Sequence, residues 1–278
     1  MLKITSLQKE LKDAATKYCR LVLTEDPVTW HRLVETTDDI LEYRMGVGKW
    51  DKIDARSFRT LIRSVVQAAK SHKIEHLAVS FKSFDFPKLK EYGESWLAST
   101  LIENLQLAHY EFTTYKSKKK DKKPFSEVLV CGQLSSEAKK GLIRGQIVSE
   151  YTNKARSISN TPSCDMTPTH LGREAKELAK NTKVEVKVFG EKELKKLKMG
   201  ALLAVGQGTK DETKFIIAEY WGAGKTKGKN TKKEQQPIVL IGKGITYDTG
   251  GLNVKPAGGM HDMHLDMSGG ASVLATVA

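Results

Sequence analysis

Between Ala55 and Lys70 the apolar positions Phe58, Leu61, Ile62, Val65, Val66 and Ala69 recur at the three-and-four spacing of one helical face. This spacing predicts an amphipathic helix. His76 to Phe81 reads as a short strand, and Trp96 to Leu107 repeats the helical stripe through Leu97, Leu101 and Leu105. Glu127 to Cys131 is a further apolar strand that completes an α/β domain of ordinary size. A long helix then starts at Ser135 or Ser136, either of which can cap free backbone N–H groups, with Ile143, Ile147, Tyr151, Ala155 and Ile158 as its apolar stripe.

Asn160-Thr161-Pro162 ends that helix, and Thr167-Pro168 supplies a capping hydroxyl and a first-turn proline for the next, which is expected to run to about Asn181. The domain boundary is placed there, giving residues 1–160 and 161–278. Val184, Val186 and Val188 alternate as a strand, Glu191 to Lys198 reads as a short helix, and Phe215 to Tyr220 and Pro237 to Ile241 are further strands. The last has four consecutive aliphatic residues, as in a strand buried on both faces. Strands alternating with helices predict an α/β fold with a mostly parallel sheet.

With 278 residues, 39% of them hydrophobic, the chain can bury a sizeable core. Nothing in it approaches the ~20 apolar residues of a membrane helix, and Met1-Leu2-Lys3-Ile4-Thr5 is unlike a signal peptide, so a cytoplasmic location is expected. Cys19, Cys131 and Cys164 are too widely spaced for a Cys-x-x-Cys site and are read as small buried apolar residues. The net charge of +13 is concentrated in two lysine runs, 116–123 and 225–233. Neither interleaves aromatics or follows a helical period, so solvated loops are expected and a nucleic-acid-binding module is the alternative.

The glycine-rich stretch from Gly242 to Gly270 holds Lys243, Asp248, Lys255 and Asp266. It is no phosphate loop, because Pro237 stands where the first glycine of such a loop belongs. Carboxylates converging in a loop that can fold closely suit a divalent cation, while ordinary solvated turns would leave the same residues. His261 and His264, three apart, offer a rival zinc site without a third ligand.

The run Val239-Leu240-Ile241-Gly242-Lys243-Gly244-Ile245-Thr246-Tyr247-Asp248-Thr249-Gly250-Gly251-Leu252-Asn253-Val254-Lys255-Pro256, with Met260, Met263 and Asp266-Met267-Ser268-Gly269-Gly270-Ala271, resembles the central signature of the cytosolic leucine aminopeptidase family. Ala155-Arg156, Asn160-Thr161-Pro162 and Met199 to Gly208 extend the similarity upstream. The resemblance implies a macro-like N-terminal α/β domain followed by the start of a mostly parallel α/β catalytic domain. It implies two divalent metal ions, zinc or manganese with magnesium a third candidate. Lys243 and Asp266 would be metal ligands, Asp248 a bridging carboxylate, and Lys255 the catalytic lysine. Met263 would line the pocket for the first substrate side chain, with core packing as the competing role.

Short peptides would be the substrate and a homohexamer the assembly, with no membrane partner. The family's second signature, Asn-Thr-Asp-Ala-Glu-Gly-Arg, is absent from the sequence. An N-terminal fragment of a leucyl aminopeptidase is therefore expected, with little activity of its own. A non-catalytic remnant is the alternative.

Overall fold

The computed structural model describes residues 1–117, 125–222 and 237–278. Both lysine runs, apart from Lys116 and Ser117, lie outside the described residues. The chain divides into two compact units, Met1–Glu150 and Tyr151–Ala278.

Unit 1 is built on six strands: β1 (Lys3–Leu7), β2 (Cys19–Thr24), β3 (His31–Glu35), β4 (Leu41–Gly46), β5 (His76–Ser80) and β6 (Glu127–Cys131). They form one sheet in the order β1-β6-β5-β2-β4-β3, parallel except for the β4–β3 hairpin. Alternate residues of β6 serve opposite faces. Val128 and Val130 join the main core with Leu77 and Val79, whereas Leu129 and Cys131 pack with Ala14, Tyr18 and Ala78. Burial on both faces explains why β6 reads as an uninterrupted apolar run.

Helix α1 (Ala55–Ser71) buries all six positions of the predicted stripe, and Asp54 caps it by accepting the Ser57 N–H at 2.7 Å. Helix α2 (Gly93–His109) shares this core through Leu97, Leu101, Ile102 and Leu105. Helix α3 (Ser136–Asn160) begins where Ser135 Oγ accepts the Ala138 N–H and ends at the expected Asn160. It runs across the division between the units, so the compact units part at residue 150 rather than at the helix end.

The expected stripe of α3 is corrected in unit 1, because Ile143 and Ile147 are exposed. Gly141 and Gly145 face α2 instead. A Cβ on Gly145 would sit 3.0 Å from Ile102 Cβ and Ser99 Cα, and one on Gly141 would sit 2.9 Å from Ala98 Cβ. The small residues let the two backbones approach directly, which an isoleucine face would prevent.

Unit 2 contains α4 (Pro168–Ala179), β7 (Val184–Phe189), α5 (Glu191–Lys196), α6 (Gly200–Gly206), β8 (Phe215–Tyr220), α7 (Ala257–Met260) and α8 (Ser268–Val277). Thr167 caps α4 by accepting the His170 N–H, as its sequence predicts. Its core joins Leu171, Ala175 and Leu178 of α4 with Met267, Ala271 and Leu274 beside and within α8. Here two expectations are corrected. β7 and β8 pair antiparallel as a two-stranded sheet, so among the described residues the parallel pairing is that of unit 1. The 237–241 stretch forms no strand, and Ile238 and Ile241 are 92% and 90% exposed. Burial on both faces requires neighbouring strands, and this stretch pairs with none among the described residues. Of the cysteines, Cys19 and Cys131 are buried as expected, but Cys164 is exposed.

Candidate active site

The site residues occupy the last 36 residues of unit 2, and glycines decide how they meet. Gly270 donates its N–H to Lys243 O at 2.7 Å. A Cβ on Gly242 would stand 2.7 Å from both Gly269 C and Gly270 Cα, nearer still to Gly269 O, so only glycine permits this crossing. The crossing sets Lys243 opposite Asp266, just ahead of α8. Lys243 Nζ lies 2.8 Å from Asp266 Oδ2. That oxygen has essentially no solvent contact, so the Lys243 ammonium is what meets its charge.

A tight turn forms the second pair. Lys255 donates its backbone N–H to Thr249 O at 2.9 Å, while Gly250 and Gly251 take positive φ of 88° and 72° to close the turn. Gly250 also donates its N–H to Asp248 Oδ1 at 2.9 Å. Lys255 Nζ then reaches back to donate to Asp248 Oδ2 at 2.8 Å and to Met263 Sδ at 2.9 Å.

The two pairs form one electrostatic cluster. The Asp266 carboxylate raises the pKa of Lys243 above its ordinary value, with Asp248 adding a smaller pull in the same direction. The Lys255 hydrogen bond, then the Gly250 N–H, hold Asp248 below the usual carboxylate range, with a weaker contribution from the Lys243 charge. Two cations and two anions thus neutralise one another in a partly open loop. Of the five residues that the resemblance singled out, each takes part in these contacts: Lys243 with Asp266, and Lys255 with both Asp248 and Met263.

His261 is exposed and His264 lies in a short 3-10 turn, Met263–Leu265. Among the described residues, no three His, Cys, Asp or Glu side chains converge as a metal cluster. The rival zinc site at the two histidines therefore gains no third ligand. What sequence reasoning missed is the partner of each lysine and the Gly242 crossing. The paired glycines Gly269 and Gly270, directly after Asp266, are the signal that could have revealed that crossing.

Two family models match parts of the chain. Residues 153–278 match the cytosol aminopeptidase family catalytic domain, and residues 43–119 match the same family's N-terminal domain. The chain belongs to the cytosol aminopeptidase family. The "probable cytosol aminopeptidase" of Nitrosococcus oceani is 37% identical over 238 residues, covering 84% of this chain and 45% of that relative. Its counterpart in Histophilus somni is 34% identical over 237 residues, with 84% and 46% covered. The chain thus spans less than half the length of these family members.

Among solved structures, a mutant of tomato leucine aminopeptidase shares the fold with a TM-score of 0.76 at 20% identity, covering 100% of this chain and 58% of its own. The bottromycin maturation enzyme BotP in complex with Mn gives a TM-score of 0.72 at 23% identity, covering 94% and 55%. Both likenesses speak for the mixed α/β fold of the family. No helix among the described residues is long and apolar enough to cross a membrane.

Proposed function

We propose that this chain carries part of the active site of a metal-dependent aminopeptidase that releases N-terminal residues, leucine and similar ones, from short peptides. The observation that carries the reading is the gathering of Lys243, Asp248, Lys255, Met263 and Asp266 into one cluster within the region matched by the family's catalytic domain.

The donor set suits a divalent cation. Each carboxylate has a cation at 2.8 Å, and Asp266 Oδ2 is sealed from solvent, so each already sits where positive charge is held against it. Asp248 and Asp266 would hold the metals, with Asp248 bridging two ions, and Lys243 would join them as the neutral amine. The Asp266 pairing opposes loss of that proton, so metal binding at Lys243 should release it. Zinc or manganese fits this mixed nitrogen and oxygen set, with magnesium a third candidate. Such ions polarise a peptide carbonyl and lower the pKa of water.

Lys255 has a different task. Its ammonium is anchored by Asp248 and has one further N–H that can point at a substrate oxygen as negative charge develops there. Met263, in contact with the same ammonium, would line the pocket for the first side chain. The printed name of the relatives, cytosol aminopeptidase, supports a cytoplasmic location, and a homohexamer is the assembly proposed for the whole protein.

Calorimetric titration of Mn²⁺ or Zn²⁺ into the 278-residue chain tests this reading. Asp248→Asn and Asp266→Asn should each weaken binding at least ~10-fold, because loss of a ligand costs no less than loss of the groups that orient one. Lys255→Ala should leave metal binding nearly unchanged. Hydrolysis of leucyl substrates by this chain should be negligible, since two carboxylates supply two negative charges against the four positive charges of two dications. Metal affinity indifferent to both aspartates, or brisk leucyl hydrolysis by the chain, would overturn the assignment.

A further inference from the structure

Unit 1 contains an open groove of about 420 Å³ between α1 and the β3–β4 hairpin, which falls in the ~300–1,000 Å³ range of small-ligand sites. Its floor is Tyr43, 3% exposed, whose ring stacks on His31 at 6.2 Å and lies 5.3 Å from the ring of His72. The two imidazoles are thus held around one buried aromatic ring. Arg63 stands on the α1 wall with Thr60, whose hydroxyl donates to Arg56 O at 3.2 Å, and Ser64. No acidic side chain is among the lining residues.

The arginine is positioned by the interior. Arg63 Nε donates to Asn104 Oδ1 at 3.0 Å, and Asn104, 1% exposed, donates its own Nδ2 to Thr100 O at 2.8 Å. A buried amide whose orientation is fixed at both ends holds the guanidinium, and the terminal Arg63 nitrogens have no partner among the described residues. Four N–H donors in a planar fork are left to the groove, beside two imidazoles that can donate and the Ser64 hydroxyl. That is the donor set for an oxyanion, which planar guanidinium recognises in a two-pronged manner.

We propose that this groove binds a small oxyanion-bearing molecule, a phosphate ester or a polycarboxylate, with Arg63 as the principal contact and His31 and His72 flanking it. The site is separate from the lysine–aspartate cluster and does not rest on the aminopeptidase reading. A ring or short chain attached to the anion would lie against Tyr43 and Ala68, the apolar part of the lining.

The test is titration of the whole chain with inorganic phosphate and, separately, with citrate, followed by the imidazole NMR resonances of His31 and His72. Saturable shifts with either anion are expected, and the one that saturates at lower concentration identifies the ligand chemistry. Arg63→Gln should raise the apparent Kd at least ~10-fold, the scale of a lost charge-assisted hydrogen bond. Arg59→Gln, whose guanidinium sits over the Trp96 ring, should leave it within twofold. Arg63→Gln also removes the donor to the buried Asn104 Oδ1, so thermal unfolding of both variants, expected to stay cooperative and near that of the parent chain, accompanies the titrations. Equal weakening by the two variants, no saturable shift with either anion, or a response to duplex DNA alone would overturn the proposal.

Discussion

Gly242→Ala is the most direct perturbation of the site, because it adds one methyl group where two backbone segments cross. The new Cβ would lie 2.7 Å from Gly269 C and Gly270 Cα, which are main-chain atoms that cannot rotate away. Relief requires the segments to part, breaking the Gly270 N–H to Lys243 O hydrogen bond and drawing Lys243 from Asp266. Overpacking of this kind costs ~1–3 kcal/mol, and the hydrogen bond about 1 more. A total of roughly 2–4 kcal/mol corresponds to a fall in Tm of about 10 °C for a unit of this size. Gly244→Ala is the matched control, since its added Cβ would meet only Leu171 Cδ2 at 3.8 Å, an ordinary contact. Thermal unfolding followed by circular dichroism, with Mn²⁺ titration of each variant, reads both consequences. If Gly242→Ala matches Gly244→Ala in Tm and in metal affinity, the crossing does not organise the site.

Gly145→Ala should destabilise unit 1 by ~1–3 kcal/mol in urea unfolding, because its Cβ would press on Ser99 and Ile102 of α2, whereas Ile143→Ala on the exposed face of the same helix should cost little. The charge pairs predict a pH window: Asp248, held low, stabilises fully above the ordinary carboxylate pKa near ~4 and loses that contribution as pH falls through its depressed value. Lys243, held high, contributes below the ordinary lysine pKa near ~10.4 and is lost as pH rises through its elevated value, so Asp248→Asn should flatten the acid limb of a stability–pH profile and change the alkaline limb much less. A thiol reagent should modify Cys164 quickly in the native chain, while Cys19, whose pKa burial pushes up to about 12, reacts only on unfolding. Rapid native labelling of Cys19 would refute that.

Legibility in the sequence followed the kind of neighbour each residue has. The α1 stripe was readable position by position because a helix lying on a core shows its apolar face at a fixed period. The face of α3 was misread for the complementary reason: periodicity weighs large apolar residues, and here the contact is made by glycines. In β2 the buried Cys19, Leu21 and Leu23 alternate, yet the segment is short and the apolar Val22 on the other face breaks the apolar–polar pattern, and the first four strands went unrecognised. Ile238 to Ile241 read as a buried strand because composition reports what a segment can do, whereas pairing depends on other segments. Within the site, residue types and spacing marked Lys243, Asp248, Lys255 and Asp266. The partner of Lys243 lies 23 residues further on, and only folding brings that distance to 2.8 Å.

The uncovered aliphatic stretch before the site bears on how the chain behaves in a crowded solution. Ile238, Val239, Leu240 and Ile241 are β-prone, uncharged and largely bare, the composition that recruits like segments into stacked fibrils. Fibril-forming segments usually span six or seven such residues without proline. This one is four residues long, preceded by Pro237, which has no N–H to give, and followed by Gly242 and the charge of Lys243. Those flanking residues act as gatekeepers that cap the length of any self-associating strand. Replacing Pro237 with a β-branched residue would lengthen the adhesive run at its one unguarded cost, solubility, while leaving every site contact untouched.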